Sequence, residues 1–437
     1  MKRLLSTLMC LLLLLSAAGC AGPSPAAASD RPAQANEAPA ETTPEPTPEP
    51  TPEPTPEPTP VPLEILGRRC SSADETVELV GMSDADAEAV AEALRQMPAL
   101  RSIRLGSEKT APLSWDSISL LHEAAPEAEI DYEFQLKGRS FNLRDEVLDL
   151  KRQRMDDEGA LVKQIADCMV NLKTLDMDGC GVSNEAMAAL RDSMPDVEVI
   201  WRVNFGRYYT ARTNVEKILA SVPGKAGNLV HNNVMALQYC TKVKYLDLGH
   251  NNHLNTIEFC RYMPDLEVLI VACTLVEDFS PLASCPKLEY LEALNSALHD
   301  LTPLSGLENL RHLNIGYNFA VTDLTPLYSL SGLERLWIGC YDPIPPEQIA
   351  EFRRLNPNCA VNDTAEDPSG EGWRFGDYNG PDSAEYVPRY ALLREQFGYE
   401  EWDFSFQWND PLYDYSWHPP EVEKDDVEDF TDEPDLV

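Results

Sequence analysis

The sequence predicts an α/β solenoid, in which short strands stack as a parallel sheet along a concave face and each strand is followed by a turn and a return segment. Three observations predict it. The pattern L-x-x-L-x-L returns five times, at Val243–Leu248, Leu266–Val271, Leu288–Ala293, Leu310–Ile315 and Leu333–Ile338, with starts 23, 22, 22 and 23 residues apart. Three residues beyond the last apolar position stand Asn251, Thr274, Ser296, Asn318 and Tyr341, where an inward polar group can satisfy backbone groups of neighbouring turns. Three units then carry Asp, Pro and Leu at fixed offsets, as Asp278/Pro281/Leu282, Asp300/Pro303/Leu304 and Asp323/Pro326/Leu327. One such unit cannot bury its own leucines, whereas stacked units share a continuous core.

The N-terminal elements come first along the chain. Lys2 and Arg3 precede an apolar run from Leu4 to Leu15 and then Ser16-Ala17-Ala18-Gly19-Cys20, the layout of a secretory signal too short to span a bilayer as a permanent helix. Ala17-Ala18-Gly19-Cys20 resembles the bacterial lipobox, with Ala17 where leucine is usual. The resemblance implies cleavage before Cys20, its lipidation, and an extracytoplasmic chain held at a bacterial cell membrane. Residues 21–62 form a Pro/Thr/Glu linker with Thr-Pro-Glu-Pro repeats from Thr43 to Pro58. Alternate prolines forbid helix and sheet ladders and favour an extended polyproline strut. A spacer behind a lipid anchor and a proline-rich ligand for a partner's groove are both compatible with it.

Residues 63–230 read as irregular, longer repeats. Gly67-Arg68, Gly138-Arg139 and Gly206-Arg207 recur 71 and 68 residues apart. Ser83 to Met97 and Ser183 to Met194 are helical patterns with serine N-caps, each running into a strand. A separate α/β domain is the alternative. Residues 231–362 hold the regular repeats, closed by a helix at Pro346–Leu355 and a strand at Pro357–Val361. The regular units resemble the leucine-rich repeat, in the short class of internalin-like bacterial surface proteins; that resemblance implies a horseshoe and recognition of a protein partner. Residues 363–437 crowd in aromatic side chains, among them Trp373, Tyr390, Trp402, Trp408 and Trp417, before an acidic tail from Glu421. Such a segment suits a cap over the open end of the core, or a glycan-binding platform.

Seventy-three acidic against thirty-five basic residues give a net charge of −38. Phosphate neutralisation needs clustered Lys and Arg, so no nucleic-acid partner is expected. Eleven cysteines include no C-x-x-C, and with Cys10 and Cys20 set aside an odd number remains, which favours packing over a full disulfide framework. His250-Asn-Asn-His253 lacks a third ligand, His122-Glu123 meets Pro126 where a metalloprotease helix needs histidine, and Asp176-Met-Asp178-Gly179 has its glycine too early for a calcium loop. Neither a nucleophile elbow nor a phosphate loop occurs. No enzyme, cofactor or metal is expected.

What remains is surface. In L-x-x-L-x-L the third and fifth residues face away from the core. They are Tyr245 and Asp247, Val268 and Ile270, Tyr290 and Glu292, His312 and Asn314, Arg335 and Trp337. Aromatic residues and arginine are the types that carry binding hot spots. The expected binding residues are therefore Tyr245, Asp247, Ile270, Tyr290, Glu292, His312, Asn314, Arg335 and Trp337, with cross-strand shielding as the plainer explanation. Carbohydrate or cell-wall binding through the aromatic C-terminal region, and a scaffold in the envelope, are the alternatives.

Overall fold

The computed structural model describes residues 60–221, 228–339, 343–370, 372–375 and 386–398. Cys20, the proline-rich linker up to Thr59, the stretch Pro223–Gly227, Cys340, Tyr341, and everything from residue 399 onward (Trp402, Trp408 and the acidic tail included) lie outside the described residues.

The first block runs β1 (Pro62–Ile65), β2 (Arg68–Ser71), β3 (Thr76–Glu78), α1 (Ala87–Leu94), β4 (Ser102–Ser107), α2 (Trp115–Ala124), β5 (Glu129–Leu136) and β6 (Arg139–Asn142). The second runs β7 (Val147–Asp149), α3 (Ala160–Asp167), β8 (Thr174–Asp176), α4 (Asn184–Ser193), β9 (Glu198–Ile200), β10 (Arg202–Phe205) and β11 (Tyr209–Arg212). The regular repeats supply β12 (Lys217–Leu219), α5 (His231–Val234), β13 (Tyr245–Asp247), β14 (Val268–Ile270), β15 (Tyr290–Glu292), β16 (His312–Asn314) and β17 (Arg335–Trp337). Then come α6 (Pro346–Leu355), β18 (Ala360–Asn362) and α7 (Pro388–Phe397). Strands β12 to β18 form one seven-stranded parallel sheet in sequence order. Upstream, β3-β4-β5 and β7-β8-β9 are parallel as well. A single apolar cluster extends from Ile65 to Phe352 beneath all of them.

The recurring Gly-Arg pairs mark hairpins. Strands β1 and β2 pair antiparallel around Leu66-Gly67, and β5 and β6 around Lys137-Gly138. All four of these turn residues have positive φ, the geometry that lets a two-residue loop follow the strand twist. The arginine after each glycine reaches forward along the chain. Arg68 donates to the Glu78 carbonyl at 2.8 Å and Arg139 to the Asp149 carbonyl at 2.9 Å, tying each hairpin to the next parallel strand.

The return segments explain the Asp-Pro-Leu signature. Each aspartate accepts from the backbone N–H two residues on: Asp278 from Ser280 (2.8 Å), Asp300 from Thr302 (2.8 Å) and Asp323 from Thr325 (3.0 Å). That contact starts a short 3-10 turn, the proline sits where no donor is needed, and the leucine is buried. Inside the strand exits, Asn251 donates to the Ala220 and Leu248 carbonyls at 3.0 and 2.9 Å, and Asn318 to those of Ala293 and Ile315 at 2.8 and 2.7 Å. Thr274 and Ser296 make the corresponding single contacts to Val271 and Ala293.

One expectation is corrected. Among the described residues, the segment after β18 does not cap the open end of the core. Ala365, Trp373, Leu393 and Phe397 instead pack with Val268, Ile270, Tyr290 and Trp337 in a second apolar cluster, on the sheet's concave face. The turn starts at once: Asn362 accepts from the Thr364 and Ala365 N–H groups at 3.0 and 2.9 Å, folding the chain back.

Candidate functional site: the concave face

Parallel pairing without slippage aligns the face residues in two rows. Tyr245, Val268, Tyr290, His312 and Arg335 follow one another across the sheet, and beside them run Asp247, Ile270, Glu292, Asn314 and Trp337. Every sequence-predicted site residue is therefore on this face. An open, solvated face is nevertheless not what the structure shows. Ile270, Tyr290, Glu292, His312, Asn314 and Trp337 are buried, and only Tyr245 and Arg335 are half-exposed. Their cover comes from the chain's own residues 365–370, 372–375 and 386–397. Asp247 is also buried, but by local duty: it accepts from Ser221 Oγ at 2.8 Å and from the Gly249 N–H at 2.9 Å. Asn314 divides its amide, accepting from the Gly316 N–H at 3.1 Å and donating to the Pro368 carbonyl at 2.9 Å.

The centre of the face is Glu292, which has no exposed surface. Its carboxylate accepts from Tyr290 Oη at 2.9 Å and Trp373 Nε1 at 2.8 Å, and pairs with the Arg374 guanidinium. Burial works against the Arg374 charge, and the adjacent Glu292 outweighs it and holds the guanidinium firmly protonated. Burial, then Glu292, pushes the Tyr290 hydroxyl well above its ordinary range, so it stays a donor. The Trp373 ring is wholly buried, 5.2 Å from Tyr290 and 5.6 Å from Trp337 between centroids. Arg335 closes the slot. Its guanidinium lies 4.4 Å from the Trp373 ring and 4.9 Å from the Trp337 ring, while donating to the Gly372 and Trp373 carbonyls at 2.7 Å each. At the upstream edge, Lys217 donates to the Gln396 carbonyl at 3.1 Å, beside an open cleft of roughly 390 Å³ lined by Arg212, Asn214, Glu216, Lys217 and Tyr245.

His312 sits under this cover, between Tyr290 and Arg335 in its row. Burial first, then the charges of Arg335, Arg389 and Arg311, push its imidazole down to about 3, so it is neutral in the folded chain. An unfolded histidine protonates near pH 6.5, so this contribution to stability is complete above that pH and is lost as the pH falls toward 3. We expect denaturant titrations to show about 2 kcal/mol lost on this account between pH 7.5 and pH 5. His312→Gln should remove that part of the acid sensitivity; an unchanged pH dependence in the variant would refute the assignment.

The strand exits carry a second polar group, which only the fold brings together. His250, Cys273 and Asn295 occupy equivalent left-handed positions in successive repeats, with φ of 61°, 58° and 49°. Asn295 Nδ2 is 3.8 Å from Cys273 Sγ, and a hydrogen bond with His250 leads the effects that hold this thiol below its ordinary range. Burial pushes Cys168 and Cys180 up to about 11, and Cys240 and Cys285 to about 12. Among the described cysteines Cys273 alone is shifted down. The carboxylates weighed as a calcium loop are taken by arginines: Arg202 pairs bidentately with Asp178 (2.8 and 3.0 Å) and Arg212 with Asp176. Among the described residues no group of three His, Cys, Asp or Glu is placed to hold a metal, and no helix is long and apolar enough to cross a membrane.

The stacked, in-register strands over one core, each left through a polar-capped turn, define a leucine-rich-repeat solenoid. No family model and no curated protein matches the sequence. Solved structures similar to the chain include an internalin from Listeria monocytogenes, at 15% identity and a TM-score of 0.27 over 62% of each chain. A leucine-rich-repeat protein of Leptospira interrogans is similar at 19% identity and a TM-score of 0.28, over 62% of this chain and 74% of that one. Internalin C2 of Listeria monocytogenes follows, at 18% and 0.27, over 52% and 87%. The chain thus spans less than two thirds of the first of these proteins.

Proposed function

We propose that this chain is a non-catalytic surface protein of a bacterial cell, anchored through lipid on Cys20 and lifted from the membrane by its proline-rich linker. It recognises a protein partner through the concave face of its leucine-rich repeats, with Tyr245, Tyr290, Glu292, His312, Arg335 and Trp337 as the principal contacts and Asp247, Ile270 and Asn314 beside them. The observation that carries this reading is the pair of in-register rows, which set aromatic, arginine and carboxylate side chains side by side on one rigid face. Residues of these types, gathered at the centre of a surface, carry most of the energy in protein interfaces. The face already grips one polypeptide, since Ala365, Trp373, Leu393 and Phe397 are seated on it.

The test is a pull-down with the chain from Ala21 onward, against intact cells, purified cell wall and secreted proteins, beside a Tyr290→Ala/Trp337→Ala variant. We expect a protein captured by the parent and reduced at least tenfold by the variant. Capture of cell wall by both forms would transfer the binding to the aromatic C-terminal region and a carbohydrate ligand. Capture of nothing by either would favour an envelope scaffold.

A further inference from the structure

The contacts between the sheet and the segment laid over it fall into two kinds. Arg335 to the Gly372 and Trp373 carbonyls, Asn314 to the Pro368 carbonyl and Lys217 to the Gln396 carbonyl all end on backbone oxygens. They would hold any chain in that position and read no side chain. The side-chain readout is densest in one place, with a looser Arg389–Glu289 pair at 3.9 Å and a Tyr245–Phe397 ring contact outside it. In that place Glu292 takes an indole N–H and a guanidinium, and Tyr290, Trp337 and Arg335 enclose the indole. The residue before the indole is read too: Gly372 has φ +71°, and a Cβ there would lie 2.9 Å from the Trp337 ring.

Within its own strand and row, Glu292 has Tyr290, Ile270 and Asn314 as neighbours, none of them a cation. The face therefore buries a carboxylate whose direct ion-pair partner, Arg374, comes from the occupant, while Arg335 of the sheet acts on it without pairing. A buried ion pair adds selectivity more than net stability, because desolvation offsets most of the attraction. Exchanging one arginine for another at Glu292 is then close to neutral. The chain's net charge of −38 draws basic segments toward it over longer distances.

We infer that the slot around Glu292 is a receptor for an extended polypeptide carrying glycine, an aromatic residue and arginine in succession, and that the chain's own Gly372-Trp373-Arg374 holds the slot in competition with that partner. The inference rests on the recognition reading above and adds the partner's chemistry and the way access is controlled.

The experiment uses the full extracytoplasmic chain and a fluorescent peptide with the sequence of residues 366–376, followed by anisotropy. A Trp373→Ala/Arg374→Ala variant, with its own segment loosened, should bind the peptide at least tenfold more tightly than the parent. Adding Glu292→Gln to that variant should weaken binding at least tenfold, as should replacing the peptide's arginine by glutamine. Gly372→Ala serves as a milder release should the double variant misfold, and it should give a smaller gain of the same sign. A folded variant that ignores the peptide, or binding that is equal in parent and variants and indifferent to Glu292, would overturn the inference. A pull-down that still loses its partner with Tyr290→Ala/Trp337→Ala, while the peptide fails to bind, would sink the aromatic-arginine motif and leave the concave face as the receptor.

Discussion

Arg374→Ala should cost about 3–5 kcal/mol in stability, while the paired change Glu292→Gln/Arg374→Met, which keeps an acceptor for Tyr290 and Trp373, should lie within about 2 kcal/mol of the parent. The single substitution leaves Glu292 with the Tyr290 and Trp373 donors but without its direct ion-pair partner, in a place with no exposed surface. The paired one removes the charge together with its need. There is one way out for the single variant: the stretch that carries Trp373 can lift, letting water reach the carboxylate. The loss is then capped at the free energy with which the segment docks, and the buried Trp373 ring emerges into water. Denaturant unfolding followed by tryptophan fluorescence separates the two courses. A red-shifted native baseline marks lifting; an unshifted baseline with a lower midpoint marks a strained but closed face. A single variant losing less than 1 kcal/mol without a shift would mean that Glu292 does not depend on Arg374.

The repeats were legible because their physics is local and periodic. A strand whose alternate leucines must meet the next strand's leucines repeats every 22 or 23 residues, and Asp300 or Pro303 speaks for a turn without reference to anything distant. The hairpins were half legible. Gly138 announces a positive φ, but that β5 then returns antiparallel as β6 depends on pairing the periodicity does not record. The cover on the concave face was not legible, because no local rule connects Trp373 with Glu292, 81 residues earlier. Aromatic density in residues 363–437 suggests a cap over the open end of the core or a glycan-binding platform, and neither points to the concave face. A usable sign was present on the sheet: Val268 and Ile270 stand at positions where a solvated face would carry polar groups, and both are buried. An apolar strand face and an unplaced aromatic segment in one chain together point to contact between them. The local duties of Asp247 and Asn314 were not legible for a related reason, since a strand-end Asp or Asn that caps its own turn has the same sequence position as one that faces a ligand.

Asn318→Ala should be the most damaging polar substitution in the regular repeats, at about 2–5 kcal/mol. The residue is buried, and its amide does four jobs at once. Its Nδ2 donates to the Ala293 and Ile315 carbonyls, and its Oδ1 accepts from the Ser296 N–H at 3.0 Å and shares the one Ser296 hydroxyl hydrogen, at 3.1 Å, with the Ala293 carbonyl. Ser296 Oγ reaches the Ala293 carbonyl at 3.0 Å without help from Asn318, so that carbonyl is not orphaned by the change. The Ser296 N–H and the Ile315 carbonyl are left with no such substitute, and each costs about 1–3 kcal/mol when buried unpaired. Thr274 occupies the same place one turn of the solenoid away from Ser296 and makes a 2.8 Å contact to Val271 through a single hydroxyl. Thr274→Ala should therefore cost only about 1 kcal/mol. Because neighbouring repeats are coupled and distant ones are not, the Asn318 loss should concentrate in the strands it joins. Hydrogen exchange should show faster opening of β15 to β17 in the variant, with β13 and the upstream blocks near their parent rates. Equal costs for Asn318→Ala and Thr274→Ala would mean that the amide ladder adds nothing beyond a single side-chain contact, and that the stacking of leucines alone sets the register of these strands.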